Sequence, residues 1–179
     1  NNFTNGVLGI TLDGAVTLNL VNGTSAGDTL NGTSNADLIN GNAGNDNING
    51  GTGGADQVFG GLGNDRITTN GNESELSGED GNDTMTATGT NSTLSGGAGT
   101  DIINVNGSGS VVNGGNDGDK ITVAAANVTA NGDAGIDTIT VNASGTGATV
   151  DGGTENDTLS IAGASAGNRE SSSFRQSIG

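Results

Sequence analysis

The chain has 179 residues, a formal net charge of −16 and 36 glycines, and it contains no Pro, Cys, His, Trp or Tyr. Its length fits one domain, but 30% hydrophobic and 2% aromatic residues are low shares for an ordinary packed globule. The absence of Cys excludes a disulfide framework, and four Lys and Arg against twenty Asp and Glu make nucleic-acid binding unfavourable. No apolar stretch has the length of a transmembrane segment.

In the N-terminal segment, residues 1–22, apolar and polar residues alternate from residue 7 to residue 21 on both sides of Asp13-Gly14. This pattern predicts two strands that cap the following region or form a degenerate copy of it. The chain opens with Asn1 and no secretory leader pattern, so we expect a fragment or a processed form of a longer protein.

The central segment, residues 23–161, is an internal repeat of glycine-rich nonapeptides. Gly60–Thr68 and Gly96–Asn104 follow the pattern G-G-x-G-x-D-x-U-x, in which U is aliphatic. Gly78–Thr86 and Gly114–Thr122 depart from it at one glycine position each. Looser copies end in Asp28, Asp37, Asp46, Asp56, Asp137 and Asp157.

The spacing of the aspartates predicts the architecture. Eight of them follow one another at intervals of 18, 19, 18, 18, 18, 18 and 20 residues: Asp28, Asp46, Asp65, Asp83, Asp101, Asp119, Asp137 and Asp157. Asp37 and Asp56 lie about half a period out of phase, and later the same phase is taken by Ser74, Ser92, Ser110 and Val128. The sequence therefore predicts an all-β, right-handed parallel β-roll of about eight 18-residue coils, each with two turns and two short strands.

An aliphatic residue stands two positions after each Asp or its substitute. Alternation along a strand points these residues inward and their neighbours outward, so they predict a narrow core column. They are Leu30, Ile39, Ile48, Val58, Ile67, Leu76, Met85, Leu94, Ile103, Val112, Ile121, Ala130, Ile139, Val150 and Leu159. Later coils add a second inward residue, as in Ile103 with Val105.

Stacked coils would place neighbouring Asp carboxylates about 5 Å apart, where like charges repel one another. The few Lys and Arg residues do not neutralise such a column, but a divalent cation does. Ca²⁺ accepts 6–8 oxygen ligands, backbone carbonyls included, whereas Mg²⁺ demands octahedral geometry and Zn²⁺ prefers His and Cys. Counting the gaps between aspartates, the one between Asp37 and Asp56 included, predicts about seven or eight Ca²⁺ ions.

The C-terminal segment, residues 162–179, loses the period and is predicted to be a cap, a linker or a truncated junction.

The nonapeptides resemble the repeats-in-toxin (RTX), or hemolysin-type calcium-binding, family over residues 23–161. The resemblance implies that each Ca²⁺ lies between same-edge turns of successive coils and is held by the ten aspartates named above together with turn residues. The implied turn ligands are Gly41, Ala43, Asn45, Gly60, Leu62, Asn64, Gly78, Asp80, Asn82, Gly96, Ala98, Thr100, Gly114 and Asn116. It also implies export from the cell and folding outside it in millimolar calcium.

With no His, Cys or nucleophile motif, we expect no enzyme activity in this chain. The favoured interpretation is a calcium-binding structural module of a secreted cell-surface protein, in a surface layer, sheath or extracellular fibre. The alternatives are a spacer or folding module of a large RTX adhesin or secreted enzyme and, with least support, an ice-binding module. Beside calcium, the expected partners are further copies of the chain or cell-surface polysaccharide.

Overall fold

Short parallel strands alternate between two sheets along the chain. The structure is a computed structural model, and it describes residues 18–162. One sheet consists of β1 (Asn19–Asn22), β3 (Asp37–Ala43), β5 (Gln57–Leu62), β7 (Glu75–Asp80), β9 (Thr93–Ala98), β11 (Val111–Asn116), β13 (Thr129–Ala134) and β15 (Thr149–Asp151). The other consists of β2 (Thr29–Asn31), β4 (Asn47–Asn49), β6 (Arg66–Thr69), β8 (Thr84–Ala87), β10 (Ile102–Val105), β12 (Lys120–Val123), β14 (Thr138–Val141) and β16 (Thr158–Ile161).

Each strand pairs in parallel with the strand two places away along the chain, so residues 18–162 wind as a solenoid of eight coils. The predicted all-β parallel β-roll with a period of about 18 residues is confirmed. The described residues contain no helix capable of spanning a membrane. The predicted N-terminal strands fall mostly outside the described residues, as does the C-terminal segment after residue 162.

The two sheets face each other across the predicted aliphatic column. Fourteen of its fifteen members are buried, and Leu159 in the last coil packs against them half-buried. Register keeps like residues in contact, because Ile103 pairs with Ile121, which in turn pairs with Ile139. Val105, Val123 and Val141 form the expected second inward row, which Ala87 and Thr69 continue into earlier coils.

Ile103 and Ile102 form a matched pair for testing this core, since they are neighbours on β10 with opposite orientations. Ile103 is fully buried, whereas Ile102 is 42% exposed. We expect Ile103→Ala to lower the free energy of unfolding by about 2–5 kcal/mol because it leaves a cavity. Ile102→Ala should change it by less than about 1 kcal/mol. Urea unfolding of both variants in saturating calcium measures the difference, and equal losses would contradict this assignment of inward and outward faces.

The departures from an 18-residue period lie on one edge of the roll. The offset between paired residues changes from 18 to 19 between Asn49 and Gln57, and from 18 to 20 between Val141 and Thr149. Both places are turns that lead from an even-numbered strand to the next odd-numbered strand. The turns on the other edge have the same length in every coil, so one edge of the roll tolerates extra residues and the other is uniform.

Candidate metal centre

We call the uniform edge the aspartate edge. It consists of the eight turns from an odd-numbered strand to the next even-numbered strand, ending in Asp28, Asp46, Asp65, Asp83, Asp101, Asp119, Asp137 and Asp157. The opposite edge, which we call the serine edge, carries Asp37, Asp56, Ser74, Ser92, Ser110 and Val128 at the equivalent positions. All the site residues expected from the sequence lie in these turns or at the strand ends beside them.

Hydrogen bonds connect the carboxylates of the aspartate edge from coil to coil. The backbone N–H of each aspartate donates to Oδ1 of the aspartate in the next coil, as Asp83 does to Asp101 and Asp101 does to Asp119. Seven such bonds run from Asp28 to Asp157, with N···O distances of 2.7–2.9 Å. One oxygen of each carboxylate is therefore committed to holding the coils in register.

The second carboxylate oxygen has no hydrogen-bond donor in seven of these turns. Within the described part of the chain, Oδ2 is buried and accepts no hydrogen bond in Asp46, Asp65, Asp83, Asp101, Asp119, Asp137 and Asp157. An unsatisfied buried acceptor costs about 1–3 kcal/mol, and a charged one costs more. Seven such oxygens in one column therefore form a set of acceptors that fits a positively charged ligand.

The same seven turns share one backbone conformation. In each of them φ is positive at the residues four and two positions before the aspartate, as at Gly61 (108°) and Gly63 (121°) before Asp65. The conformation persists where the residue is not glycine, for example at Glu79 (73°) and Asp133 (72°), although the left-handed region is unfavourable for side chains with a Cβ. These turns are therefore one structural type, whatever their match to the consensus.

A glycine five residues before each of these aspartates opens the space at Oδ2. A Cβ on Gly60 would lie 2.7 Å from the carbonyl oxygen of Gly78 in the next coil and would also collide with Asp65 Oδ2. Gly41, Gly78, Gly96, Gly114 and Gly132 stand in the same relation to their own aspartate and to the next coil. A carboxylate oxygen and a carbonyl oxygen from successive coils thus face one small space with no donor between them.

This donor set fits a hard cation that is bound largely by backbone. Among residues 18–162, no three His, Cys, Asp or Glu side chains converge on a point, so an ion on this edge needs carbonyl ligands. Ca²⁺ accepts carbonyls beside carboxylates, whereas Zn²⁺ takes nitrogen and sulfur ligands. The residues present therefore fit calcium.

The electrostatics of the column favour a bound cation. The pKa of Asp83 is raised to about 7, mainly by burial and in smaller part by repulsion from Asp101 and Asp65, whereas the hydrogen bond from the Asp65 N–H lowers it. Burial likewise raises the pKa of Asp119 to about 7 and that of Asp101 to about 6. Without a cation, the column holds its negative charge at a free-energy cost.

Several expected turn ligands also join successive coils to each other. The carbonyls of Leu62, Asp80 and Ala98 accept backbone N–H groups from the preceding coil at 2.8 Å. In a row outside the carboxylates, the N–H groups of Asn64, Asn82 and Thr100 donate to the side-chain oxygen of the preceding coil's asparagine at 2.8–2.9 Å.

The serine edge replaces carboxylates with hydroxyls. The N–H of Asp56 donates to Ser74 Oγ at 3.2 Å, that of Ser74 to Ser92 Oγ at 3.3 Å, and that of Ser92 to Ser110 Oγ at 3.1 Å. Its later turns use another backbone conformation, with positive φ at Glu73 and Asn91, directly before the serine. A neutral hydroxyl thus supplies the same register bond without a charge that needs a cation.

In three of the ten aspartates, the second carboxylate oxygen accepts a hydrogen bond from a threonine. These are Asp28, Asp37 and Asp56, whose Oδ2 atoms accept hydrogen bonds from Thr24, Thr33 and Thr69. The sequence interpretation missed all three threonines. Gly23-Thr24-Ser25 and Gly32-Thr33-Ser34 carry a local signal, a Thr in place of the second glycine, whereas Thr69 lies thirteen residues from Asp56 and carries none.

A parallel roll with stacked glycine turns and a column of buried carboxylate oxygens that accept no hydrogen bond defines the class of calcium-binding β-rolls. The comparison with known families agrees, since the RTX calcium-binding nonapeptide repeat matches in four copies at residues 22–54, 51–72 and 77–108. Residues 22–72 and 77–108 therefore match RTX repeats, as the nonapeptides predicted, and such repeats imply a calcium-binding module. No curated protein and no solved structure shows a significant match to the chain.

Proposed function

We propose that this chain is the calcium-binding structural module of a secreted cell-surface protein and that it folds when it meets calcium outside the cell. One observation carries the proposal: seven aspartates in one column each present a buried Oδ2 without a donor. This arrangement repeats at every coil from Asp46 to Asp157, which no single binding or catalytic site would require. Calcium at these positions would act on the whole roll.

Calcium binding and folding are coupled in this arrangement. The carboxylates and carbonyls that face each other belong to successive coils and lie about 18 residues apart in sequence. They come together only when the coils stack, so the unfolded chain has no comparable site. Binding free energy then becomes folding free energy.

The same coupling supports a role outside the cell. A module that depends on calcium at every coil stays unfolded at low calcium and folds where calcium is plentiful. Extracellular calcium modules have dissociation constants of about 10⁻⁴–10⁻³ M, several orders weaker than those of cytosolic buffers. The outward-facing rows of Asn, Thr and Ser give the folded rod a polar surface suited to a structural component.

A calcium titration of the metal-depleted chain, followed by circular dichroism at neutral pH, tests the proposal. We expect little β structure without metal and a cooperative gain of it on adding calcium, with a midpoint between about 10⁻⁴ and 10⁻³ M. Magnesium at the same concentrations is the control and should produce little β structure, because it prefers strict octahedral geometry and retains its waters. A roll that keeps its β structure without metal would overturn the proposed coupling, and a submicromolar midpoint would contradict its extracellular part.

A further inference from the structure

The first two aspartate turns of the chain repeat a motif of their own. Both begin Gly-Thr-Ser and end in Asp, at residues 23–28 and 32–37. Thr24 donates to Asp28 Oδ2 through its backbone N–H at 2.6 Å and through its hydroxyl at 2.8 Å. Thr33 donates to Asp37 Oδ2 in the same two ways, at 2.7 and 3.3 Å. Oδ2, which has no hydrogen-bond donor in the later turns of the aspartate edge, here accepts hydrogen bonds from a threonine of its own turn.

The backbone of these two turns also differs from that of the later ones. No residue from 23 to 37 has a positive φ, whereas each of the seven turns that end in Asp46 to Asp157 on the aspartate edge has two such residues. The threonine hydroxyl instead accepts the N–H of the residue two positions on, Ala26 or Asn35, which closes a compact turn. The backbone conformation of these two turns therefore differs from that of the seven later turns, although Gly23 and Gly32 also lie beside Oδ2 of their own aspartate and a carbonyl of the next coil.

Asp56 is satisfied from a neighbouring coil. Thr69 is buried at the end of β6, and its hydroxyl donates to Asp56 Oδ2 at 2.9 Å. The turn before Asp56 contains the additional residue described above and has positive φ at Gly51 and Gly54, five and two positions before the aspartate. This turn thus differs in length and in backbone conformation from the seven turns that end in Asp46 to Asp157 on the aspartate edge.

We propose that residues 18–162, the part of the chain that the structure describes, bind six calcium ions in the six gaps between Asp46 and Asp157, and that Asp28, Asp37 and Asp56 bind none. This inference rests on the proposed function and refines it. The three threonine-bound aspartates form a metal-independent N-terminal end of the roll, where hydroxyl and amide donors replace the cation. Six ions are fewer than the seven or eight obtained by counting aspartates alone.

The ion count of the whole chain, measured by native mass spectrometry and by equilibrium dialysis in millimolar calcium, tests this inference. Six bound ions support it. Seven or eight ions overturn it and leave the proposed function standing, as does any other nonzero count. No bound ions would overturn the proposed function itself.

Two matched neutralisations locate the ions. Asp28→Asn should leave six ions bound, whereas Asp101→Asn should lower the count by one or two because Asp101 borders two gaps. A loss of one ion in Asp28→Asn, or an unchanged count in Asp101→Asn, would contradict the assignment.

A gain of binding provides the converse test. The double variant Thr24→Gly and Ala26→Gly gives the first turn the consensus glycines and removes the hydroxyl that donates to Asp28 Oδ2. The backbone N–H of residue 24, which also donates to Oδ2, is kept, but glycine at positions 24 and 26 permits the positive φ angles of the later turns. We expect this variant to bind a seventh ion between Asp28 and Asp46. A count that stays at six, in a variant whose circular dichroism spectrum matches that of the native chain, would overturn the threonines' role in excluding calcium.

Discussion

Acidification should restore β structure to the metal-depleted chain. Burial raises the pKa of Asp83 and Asp119 to about 7 and that of Asp101 to about 6, and it also raises the pKa of Asp65 and Asp137. In the unfolded chain these groups titrate near 3.9. Between these values the folded state binds more protons than the unfolded state, so its stability rises as pH falls.

The pH window follows from the same values. The stabilisation is complete below about pH 4, where both states are protonated at these groups, and it is lost as pH rises through about 6–7. We therefore expect the metal-free chain to lack β structure at about pH 7.5 and to gain it at about pH 5. Circular dichroism of metal-depleted protein across this range measures the transition.

Calcium should reverse the direction of the pH dependence. Bound ions stabilise the deprotonated carboxylates, so acid competes with calcium, and the calcium midpoint should rise as pH falls. A pH-stat titration should show protons released when calcium is added at about pH 6.5. Metal-free chain that remains without β structure at about pH 5, or a calcium midpoint independent of pH, would contradict a column of buried, cation-dependent carboxylates.

Neutralising two aspartates in the middle of the column should have opposite effects with and without calcium. In Asp83→Asn and Asp119→Asn, the amide oxygen continues to accept the N–H of Asp65 or Asp101, so the register bond is kept. The unsatisfied charged oxygen is replaced by a neutral amide nitrogen. We expect the double variant to be more stable than the native chain in metal-free buffer at neutral pH, because it loses two buried charges.

In calcium the same variant should be impaired. Each substitution removes a carboxylate ligand beside two gaps, and a loss of about 1.4 kcal/mol per ligand weakens binding about tenfold. The calcium midpoint for folding should rise by at least about that factor. The amount of β structure in metal-free buffer at neutral pH and the midpoint of a calcium titration, both followed by circular dichroism, measure the two effects separately.

Glu75→Gln is the matched control for this pair. Glu75 is an exposed carboxylate on β7, away from the column, so its neutralisation changes the net charge without touching a turn on the aspartate edge. We expect it to change neither the stability of the metal-free chain nor the free energy of calcium binding by more than about 0.5 kcal/mol. If it shifted both as strongly as the Asn variants, the effects would come from net charge rather than from ligands of a calcium column.

The fold could be predicted from the sequence because its signals are local and repeated. Leu76, Met85 and Leu94 each stand two residues after a turn residue, and each is buried where the alternation places it. In a solenoid, every coil meets the same neighbours, so one period specifies both the core and the strand pairing. The departures in period are also visible in the sequence, although only the pairing shows that both lie on the serine edge.

The candidate site could be predicted only in part. The aspartate edge and its glycines follow from the nonapeptide pattern. The pattern also marks Gly132 and Gly152, which precede Asp137 and Asp157 by five residues, and both lie beside Oδ2 as the other glycines do. In the sequence, Asp28 and Asp37 belong to weaker copies of the same motif as the other aspartates. The structure sets both apart from the others, because each accepts a hydrogen bond from a threonine of its own turn. Asp56 resembles the other aspartates in sequence, but its Oδ2 accepts a hydrogen bond from the Thr69 hydroxyl at the end of β6.

The sequence alone therefore determined the coil, its period, its aliphatic core and the edge that carries the negative charge, since each depends on residues within one 18-residue unit. Only the tertiary structure decided which carboxylate oxygens are left without a donor. That property depends on groups from stacked coils, such as Thr69 beside Asp56 and the Gly78 carbonyl beside Asp65, and their distances are set by the stacking. A cation responds to the full set of oxygens around it, and this set exists only after the coils have come together.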